Sequence, residues 1–156
     1  MKVSVITISD RAFRGEYEDE SGPEIQSILL KEYPDTNVTR DLVPDEAAKI
    51  RSALERNLTA DFILTTGGTG ISPRDLTPEI TREVCDKELP GISEMIRAES
   101  YKESKNALLS RGYSGLKNQT VIINFPGSIK AVRTCLRVAL PIMEHAISMV
   151  KGEGHS

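Results

Sequence analysis

The chain has 156 residues, of which 38% are hydrophobic and 28% charged, and its formal net charge is −3. These values are typical of one globular domain. The small net charge and scattered basic residues argue against nucleic-acid binding, and no apolar window is long enough to span a bilayer. Cys85 and Cys135 lack a CxxC or zinc-ligand spacing, and the first residues do not resemble a leader peptide, so we expect a cytoplasmic protein with reduced thiols.

The predicted elements alternate between strands and helices along the chain. Strands are predicted where β-branched and other apolar residues cluster, at residues 2–9, 36–44, 61–66 and 120–128, the last ending in a Pro-Gly turn. Helices are predicted from apolar residues at helical spacing, at residues 24–33, 46–58, 77–88, 90–104 and 129–150. Thr77 is expected as the N-cap of its helix, and Pro141 is expected to kink or break the last one. Residues 106–118 fit either a short strand or an irregular crossing.

This alternation predicts a single α/β domain over residues 1–150, followed by a polar tail at 151–156. The expected architecture has three layers, with a mostly parallel sheet and helices on both faces. Ligands of such folds bind beyond the carboxyl ends of the strands, near a change in strand order. Four loops follow predicted strands and should meet at that edge, namely residues 9–23, 44–45, 65–75 and 124–128.

The loop after the third strand, TTGGTGISPRD, contains Gly67, Gly68 and Gly70. Glycines permit positive φ angles, and successive backbone N–H groups before a helix form an anion site. Side chains that suit phosphate oxygens lie among them: Thr65, Thr66, Thr69, Ser72 and Arg74. A plain tight turn would need only one or two glycines, so the pattern favours phosphate binding. It matches neither the P-loop nor the dinucleotide GxGxxG motif.

Two aspartates, Asp45 and Asp75, lie just after the second strand and at the end of the glycine loop. Each could stabilise a helix start, Asp45 as an N-cap and Asp75 by capping or through the helix dipole. Each could also bind Mg²⁺, which bridges carboxylates and phosphates in nucleotide sites. Because both follow strands and lie beside an anion site, a metal–phosphate site is favoured.

The segment after the first strand carries further polar residues. Ser9, Asp10 and Arg11 end the strand, where either an Asp–Arg pair or a phosphate contact would fit. The acidic residues that follow are interpreted as solvated surface; they are Glu16, Glu18, Asp19 and Glu20.

Several runs occur together in one order along residues 2–150: ISDRAFRGEYEDESGP, LVPDE, LTTGGTGISPRDLTPE, LPGISEMIR, ALLSR and INFPGS. They resemble the MogA/MoaB family of molybdenum-cofactor biosynthesis proteins, and the pairing of VPDE with TTGGTGxxxRDxTPE is highly specific. SPRDLTPE is more similar to the MogA branch, the molybdopterin adenylyltransferases, whereas PGSIKAVRTC is also compatible with MoaB-type members.

The resemblance implies transfer of AMP from ATP to the terminal phosphate of molybdopterin, with release of pyrophosphate and a need for Mg²⁺. It implies that Asp45 and Asp75 hold Mg²⁺ and orient the substrates. Ser110 and Arg111 would contact the pterin phosphate, and Arg74 either a phosphate or an acidic neighbour. The remaining residues implied in substrate binding are Ser9, Asp10, Arg11, Thr66, Gly67, Gly68, Thr69, Gly70, Pro126, Gly127 and Ser128.

The resemblance also implies a homotrimer and transient contact with other enzymes of the same biosynthesis. Three other functions stay open: a MoaB-type molybdopterin-binding protein, a non-catalytic trimeric scaffold of this fold, and a flavodoxin-like or nucleotide-binding switch protein. A scaffold would be expected to lose the site carboxylates, and both are present. A switch protein does not account for VPDE together with GGTGxxxRD.

Overall fold

The computed structural model describes residues 1–153 and contains one six-stranded sheet. Its strands are β1 (Lys2–Ile8), β2 (Asn37–Val43), β3 (Phe62–Thr66), β4 (Lys87–Glu88), β5 (Ser114–Lys117) and β6 (Thr120–Phe125). The spatial order is β2-β1-β3-β6-β5-β4. β2, β1, β3 and β6 are parallel, whereas β5 runs antiparallel to β6, and β4 to β5.

The helices are α1 (Asp10–Phe13), α2 (Ser21–Glu32), α3 (Ala47–Arg56), α4 (Thr77–Val84), α5 (Pro90–Tyr101), α6 (Ile129–Ala139) and α7 (Met143–Val150). Two 3₁₀ segments, Lys105–Leu109 and Leu140–Ile142, connect them. Pro141 lies in the second, so the expected break in the last helix is found. None of the helices within residues 1–153 has the length and apolar character needed to cross a membrane.

Alternating side chains of the strands build a core on each face of the sheet. Val3 and Val5 of β1 pack in one cluster with α2, α5, α6 and α7, whereas Ile6 and Ile8 pack in the other with α3 and α4. β3 and β6 are buried along their whole length, which explains their continuous apolar runs. The predicted three-layer α/β domain is confirmed.

Polar groups between these buried strands are satisfied by one another. Asn124 of β6 donates from Nδ2 to the hydroxyls of Thr65 and Thr81, both at 3.0 Å, and its Oδ1 accepts from the N–H of Tyr113. Thr65 is fully buried in this network. It is therefore a structural residue of the core, and the expectation that its hydroxyl faces a phosphate was wrong.

Several predicted boundaries differ from the structure. The polar segment after β1 begins with the one-turn helix α1, because the Ser9 hydroxyl accepts from the N–H of Ala12 and caps it. α4 ends at Val84, since Cys85 is extended, and β4 replaces the expected last turn of that helix. Thr77 is the first residue of α4, with Leu76 as N-cap. Within the expected tail, residues 154–156 lie outside the described part of the chain.

The ambiguous segment 106–118 forms most of the 3₁₀ helix and then β5. β1 is the point at which the strand order reverses: the chain passes from β1 to β2 on one side and then to β3 on the other. Loops leaving the carboxyl ends of β1 and β3 therefore diverge and leave a crevice between them.

Candidate active site

A cavity of about 680 Å³ occupies this crevice. It brings together many of the residues expected at the site: Ser9, Asp45, Thr66, Gly67, Gly68, Thr69, Gly70, Asp75, Gly127 and Ser128. They come from four separate loops, and the topology places them at one edge of the sheet.

The glycines of the loop after β3 have two different roles. Gly67 and Gly68 have φ angles of +104° and +69°. A Cβ at Gly67 would lie 2.2 Å from the carbonyl oxygen of Ile8, and one at Gly68 would lie 2.3 Å from Thr77 Oγ1. Gly70 has no positive φ, and a Cβ there would lie 2.9 Å from Asp75 Oδ2. The expected positive φ is thus found at two of the three glycines.

The glycine loop is anchored at its base by hydrogen bonds. Thr66 Oγ1 donates to the carbonyl of Pro126 at 2.8 Å, and Gly67 N donates to the carbonyl of Phe125 at 3.0 Å. Thr77 Oγ1 donates to the carbonyl of Gly67 at 3.1 Å. The hydroxyl proton of Thr66 is therefore used in a hydrogen bond within the protein and is not donated to a ligand.

Beyond this base, three consecutive N–H groups are free to bind a ligand. Across residues 1–153, the N–H groups of Gly68, Thr69 and Gly70 have no hydrogen-bond acceptor. They line the cavity just ahead of α4. Consecutive free backbone donors of this kind form an anion-binding nest.

Asp10 and Asp45 join the loops after β1 and β2. Asp10 N donates to Asp45 Oδ2 at 2.9 Å, and Asp45 N donates to Asp10 Oδ1 at 3.0 Å. Arg74 donates to both Asp10 oxygens at 2.9 Å and holds the pKa of that carboxyl below its usual range. Asp45 does not cap α3, whose N-cap is Glu46. Of the two interpretations of Arg74, these contacts match pairing with an acidic neighbour.

One carboxylate oxygen of Asp45 accepts no hydrogen bond from any of residues 1–153. Asp45 is 9% exposed, and its Oδ1 is buried with no hydrogen bond to the part of the protein that the structure describes. This oxygen would lie 3.0 Å from a Cβ added at Gly68, and it is therefore next to the anion-binding nest. Burial, followed by the charges of Asp10 and Asp75, raises the pKa of Asp45. Buried oxygens are nearly always paired, so this one points to a bound ligand or ion.

Asp75 lies on the same cavity as Asp45. Its Oδ2 accepts from Ser72 N at 2.9 Å, which closes a turn within the loop and is not a helix cap. No group of three or more His, Cys, Asp or Glu side chains within residues 1–153 has a metal-ligand arrangement. Mg²⁺ commonly uses one or two carboxylates, completed by waters and substrate phosphates. The two aspartates and the unpaired Asp45 oxygen therefore fit such an ion.

A second cavity, of about 520 Å³, adjoins the first. Both cavities are lined by Thr69, Gly70 and Ser128. The second has a largely apolar wall that includes Ile96 and Leu109, with the basic side chains of Arg97 and Lys130 and the expected residues Ser110 and Pro126. An apolar site with a few polar groups is typical of small-molecule binding.

Four residues implied at the site by the family resemblance line neither cavity: Asp10, Arg11, Arg74 and Arg111. Thr65 and Ser72 of the glycine loop also lie outside both. The Arg11 guanidinium lies 5.2 Å from the centre of the Tyr17 ring. The Arg111 guanidinium donates to backbone carbonyls of the glycine loop. Its orientation differs from that expected of a pterin-phosphate contact.

Part of the cavity wall was not predicted from the sequence. Tyr17 and residues 18–21 line the first cavity. Asp19 accepts from Thr7 Oγ1 at 2.7 Å and from Gly22 N at 3.2 Å, at the start of α2. The interpretation as solvated surface was wrong for Asp19. The signal was the DESGP run, in which an aspartate precedes small residues at a helix start.

Known proteins resemble this chain along most of its length. A family model described as a probable molybdopterin binding domain matches residues 4–145. The molybdopterin adenylyltransferase of Helicobacter pylori is 39% identical over 155 residues, covering 96% of this chain and 88% of that protein. The molybdenum cofactor synthesis protein cinnamon of Drosophila melanogaster is 40% identical over 94% of this chain, which spans only 25% of that protein.

The fold of this chain also resembles that of known proteins. The crystal structure of the molybdopterin biosynthesis enzyme MoaB from Thermus thermophilus has a TM-score of 0.88 and 40% sequence identity, covering 99% of each chain. The family model, the relatives and the fold all identify the same family. The chain belongs to the MogA/MoaB family of molybdenum-cofactor biosynthesis proteins.

Proposed function

We propose that this protein is a molybdopterin adenylyltransferase, which transfers AMP from Mg-ATP to the terminal phosphate of molybdopterin and releases pyrophosphate. The Helicobacter pylori relative carries that name and matches nearly the whole chain. The structural observation that carries the proposal is the buried, unpaired Oδ1 of Asp45 beside the free N–H groups of the glycine loop. One group suits a cation and the other an anion, as a metal–nucleotide complex requires.

The two adjoining cavities provide room for two substrates. The first, with its nest and carboxylates, suits the nucleotide phosphates. The second has an apolar wall, two basic side chains (Arg97 and Lys130) and one acidic side chain, Glu103, which is paired with Arg137. This lining suits a planar heterocycle that carries a phosphate. They meet at Thr69, Gly70 and Ser128, so the pterin phosphate and the α-phosphate would meet there.

The reaction asks mainly for positioning and charge neutralisation. An oxygen of the pterin phosphate attacks the α-phosphorus of ATP. The bond between the α-phosphorus and the oxygen that links it to the β-phosphorus breaks, and pyrophosphate leaves with that oxygen. The nucleophile is already anionic, so no general base is needed. Gly68, Thr69 and Gly70 would donate to phosphate oxygens. Mg²⁺, held by Asp45 and Asp75, would offset the negative charge of the phosphates.

The assembly and location of the protein belong to this proposal. Family resemblance supports a homotrimer that contacts other enzymes of the same biosynthesis transiently. Cys85 and Cys135 are free thiols, which supports a cytoplasmic location. Burial raises the pKa of Cys85 to about 11 and that of Cys135 to about 12, so neither thiol is suited to nucleophilic attack.

The variant Asp75→Asn tests the site. Turnover should fall by about 1,000-fold or more, because charge neutralisation supplies much of the rate in such reactions. Molybdopterin binding, measured by calorimetry, should stay within a few-fold of the unmodified protein. Asp86→Asn is the matched control, since Asp86 is an exposed carboxylate paired with Lys117. Near-normal activity of Asp75→Asn would contradict the metal assignment.

A MoaB-type molybdopterin-binding function is the second candidate, supported by the 40% identity to the Thermus thermophilus MoaB. It predicts molybdopterin binding without formation of adenylylated product. The unpaired Asp45 oxygen favours the first candidate, because a pterin-binding protein has no need for a buried cation site.

A further inference from the structure

The side chain of Arg111 holds the glycine loop from outside both cavities. Its Nε donates to the carbonyl oxygen of Gly70 and its Nη2 to that of Asp75, each at 2.8 Å. Its Nη1 contacts the Glu79 carboxylate at 2.5 Å, in the first turn of α4. The backbone N–H of Arg111 donates to the carbonyl of Thr69 at 2.8 Å. One guanidinium thus contacts both ends of the segment 70–75.

Besides Arg111, one side chain ties this segment to the rest of the protein: Arg74 pairs with Asp10 in the loop after β1. Residues 71–74 are exposed, and Ile71 is 67% exposed. The turn closed by Ser72 and Asp75 is internal to the segment and does not fix its position relative to the sheet. Since packing does not fix residues 71–74, the position of Asp75 depends on hydrogen bonds. Arg111 binds the carbonyl of Asp75 itself, whereas Arg74 anchors only the residue before it, through Asp10.

We propose that Arg111 is a positioning residue that sets the place of the Asp75 carboxylate at the cavity and does not contact substrate. The proposal rests on the function proposed above, in which the place of Asp75 decides the rate. A planar guanidinium is suited to this task, because its rigid fork reaches two carbonyls and a carboxylate at once. A direct phosphate contact would require these bonds to break.

The kinetic test uses Arg111→Lys and Arg111→Met, with Arg51→Met as control. Arg51 pairs with Glu83 of α4 but does not reach the glycine loop. We expect kcat to fall by about 10- to 100-fold in both Arg111 variants, as small misplacements of reacting groups do, with KM for both substrates within a few-fold. Lysine should not restore kcat, because one ammonium cannot reach all three acceptors. In Arg111→Ala, added guanidinium ion should restore part of kcat.

Two kinetic results would overturn the proposal. An increase of tenfold or more in KM for molybdopterin at unchanged kcat would show that Arg111 binds the pterin phosphate. Unchanged kcat and KM would show that the contacts do not matter for the reaction.

Hydrogen exchange tests the same contacts without turnover. In Arg111→Met, the amides of Ser72 and Asp75, which are hydrogen-bonded within the segment, should exchange at least several-fold faster than in the unmodified protein, while those of α6 stay unchanged. If the unmodified protein forms no adenylylated product, the proposed function fails, and faster local exchange would still support positioning by Arg111. Equal exchange in both proteins, or faster exchange throughout the chain, would overturn it.

Discussion

At the scale of single residues, Asp45 shows a conflict between stability and function. Its carboxylate is buried, one oxygen has no hydrogen-bond partner among residues 1–153, and burial raises its pKa. A buried ionised group with an unpaired oxygen costs free energy in the absence of a ligand. The sequence placed Asp45 at a strand end but could not show this burial, which depends on Asp10 and on the glycine loop folding over it.

The variant Asp45→Asn should therefore be more stable than the unmodified protein at neutral pH and inactive. The folded pKa of Asp45 lies above the unfolded one, so the contribution of this group to stability decreases as pH rises through the folded pKa. Asparagine does not ionise, so the variant avoids this decrease in stability, and its side-chain oxygen can still accept the hydrogen bond from Asp10 N. The gain should be about 1 kcal/mol, or 2–4 °C in Tm, and should shrink as pH falls below the folded pKa.

Thermal unfolding at several pH values checks this prediction. Asp86→Asn is the control with opposite sign, because a hydrogen bond from Lys117 lowers the pKa of Asp86. That variant should lose slight stability at neutral pH. A clear loss of stability in Asp45→Asn would mean that the Asp45 carboxylate stabilises the fold. It would contradict the view that this carboxylate is kept for ligand binding at a cost in stability.

At the scale of elements, the backbone conformation of the glycine loop could be predicted from the sequence, but its contacts with other residues could not. Its composition indicated a nest and positive φ angles, and Gly67 and Gly68 have them. The sequence did not show that Gly70 is needed for space beside Asp75, because that contact depends on the turn at residues 72–75. The sequence did not show the contacts of Arg111 with this loop either, because its partners lie 41 and 36 residues earlier in the chain.

Gly68→Ala tests the loop as an element. Gly15 also has a positive φ, but a Cβ there would contact nothing within 4 Å, so Gly15→Ala isolates the backbone cost. We expect Gly15→Ala to cost about 1–2 kcal/mol. Gly68→Ala should cost about 1–3 kcal/mol more, from its overlap with Thr77, and should reduce turnover sharply. Denaturant unfolding measures both, and equal costs would contradict the packing described here.

At the scale of the whole molecule, sequence periodicity was sufficient for the three-layer architecture but not for the strand order. β4 and β5 are short and antiparallel, and they lie in segments that carry weak or helical patterns. The reversal of strand order beside β1 was expected as a rule of such folds. The second cavity could not be predicted, since α5, the 3₁₀ helix and α6 meet there only in the folded chain.

The proposed assembly is testable at this scale. Sedimentation of the purified protein should give a single species of about three times 17.2 kDa. Nine large apolar side chains within residues 1–153 are exposed on the isolated chain, Leu108 at 71% among them, and association would cover part of such surface. A species of 17.2 kDa at micromolar concentration would contradict the homotrimer without affecting the catalytic proposal.

The central claim is adenylyl transfer, and the most direct measurement is made on the unmodified protein. It is incubated with molybdopterin, ATP and Mg²⁺, and adenylylated molybdopterin and pyrophosphate are quantified. We predict both products in equal amounts, with formation stopped by a metal chelator and restored by excess Mg²⁺. Tight molybdopterin binding without either product would contradict the claim and assign the chain to the MoaB-type binding function.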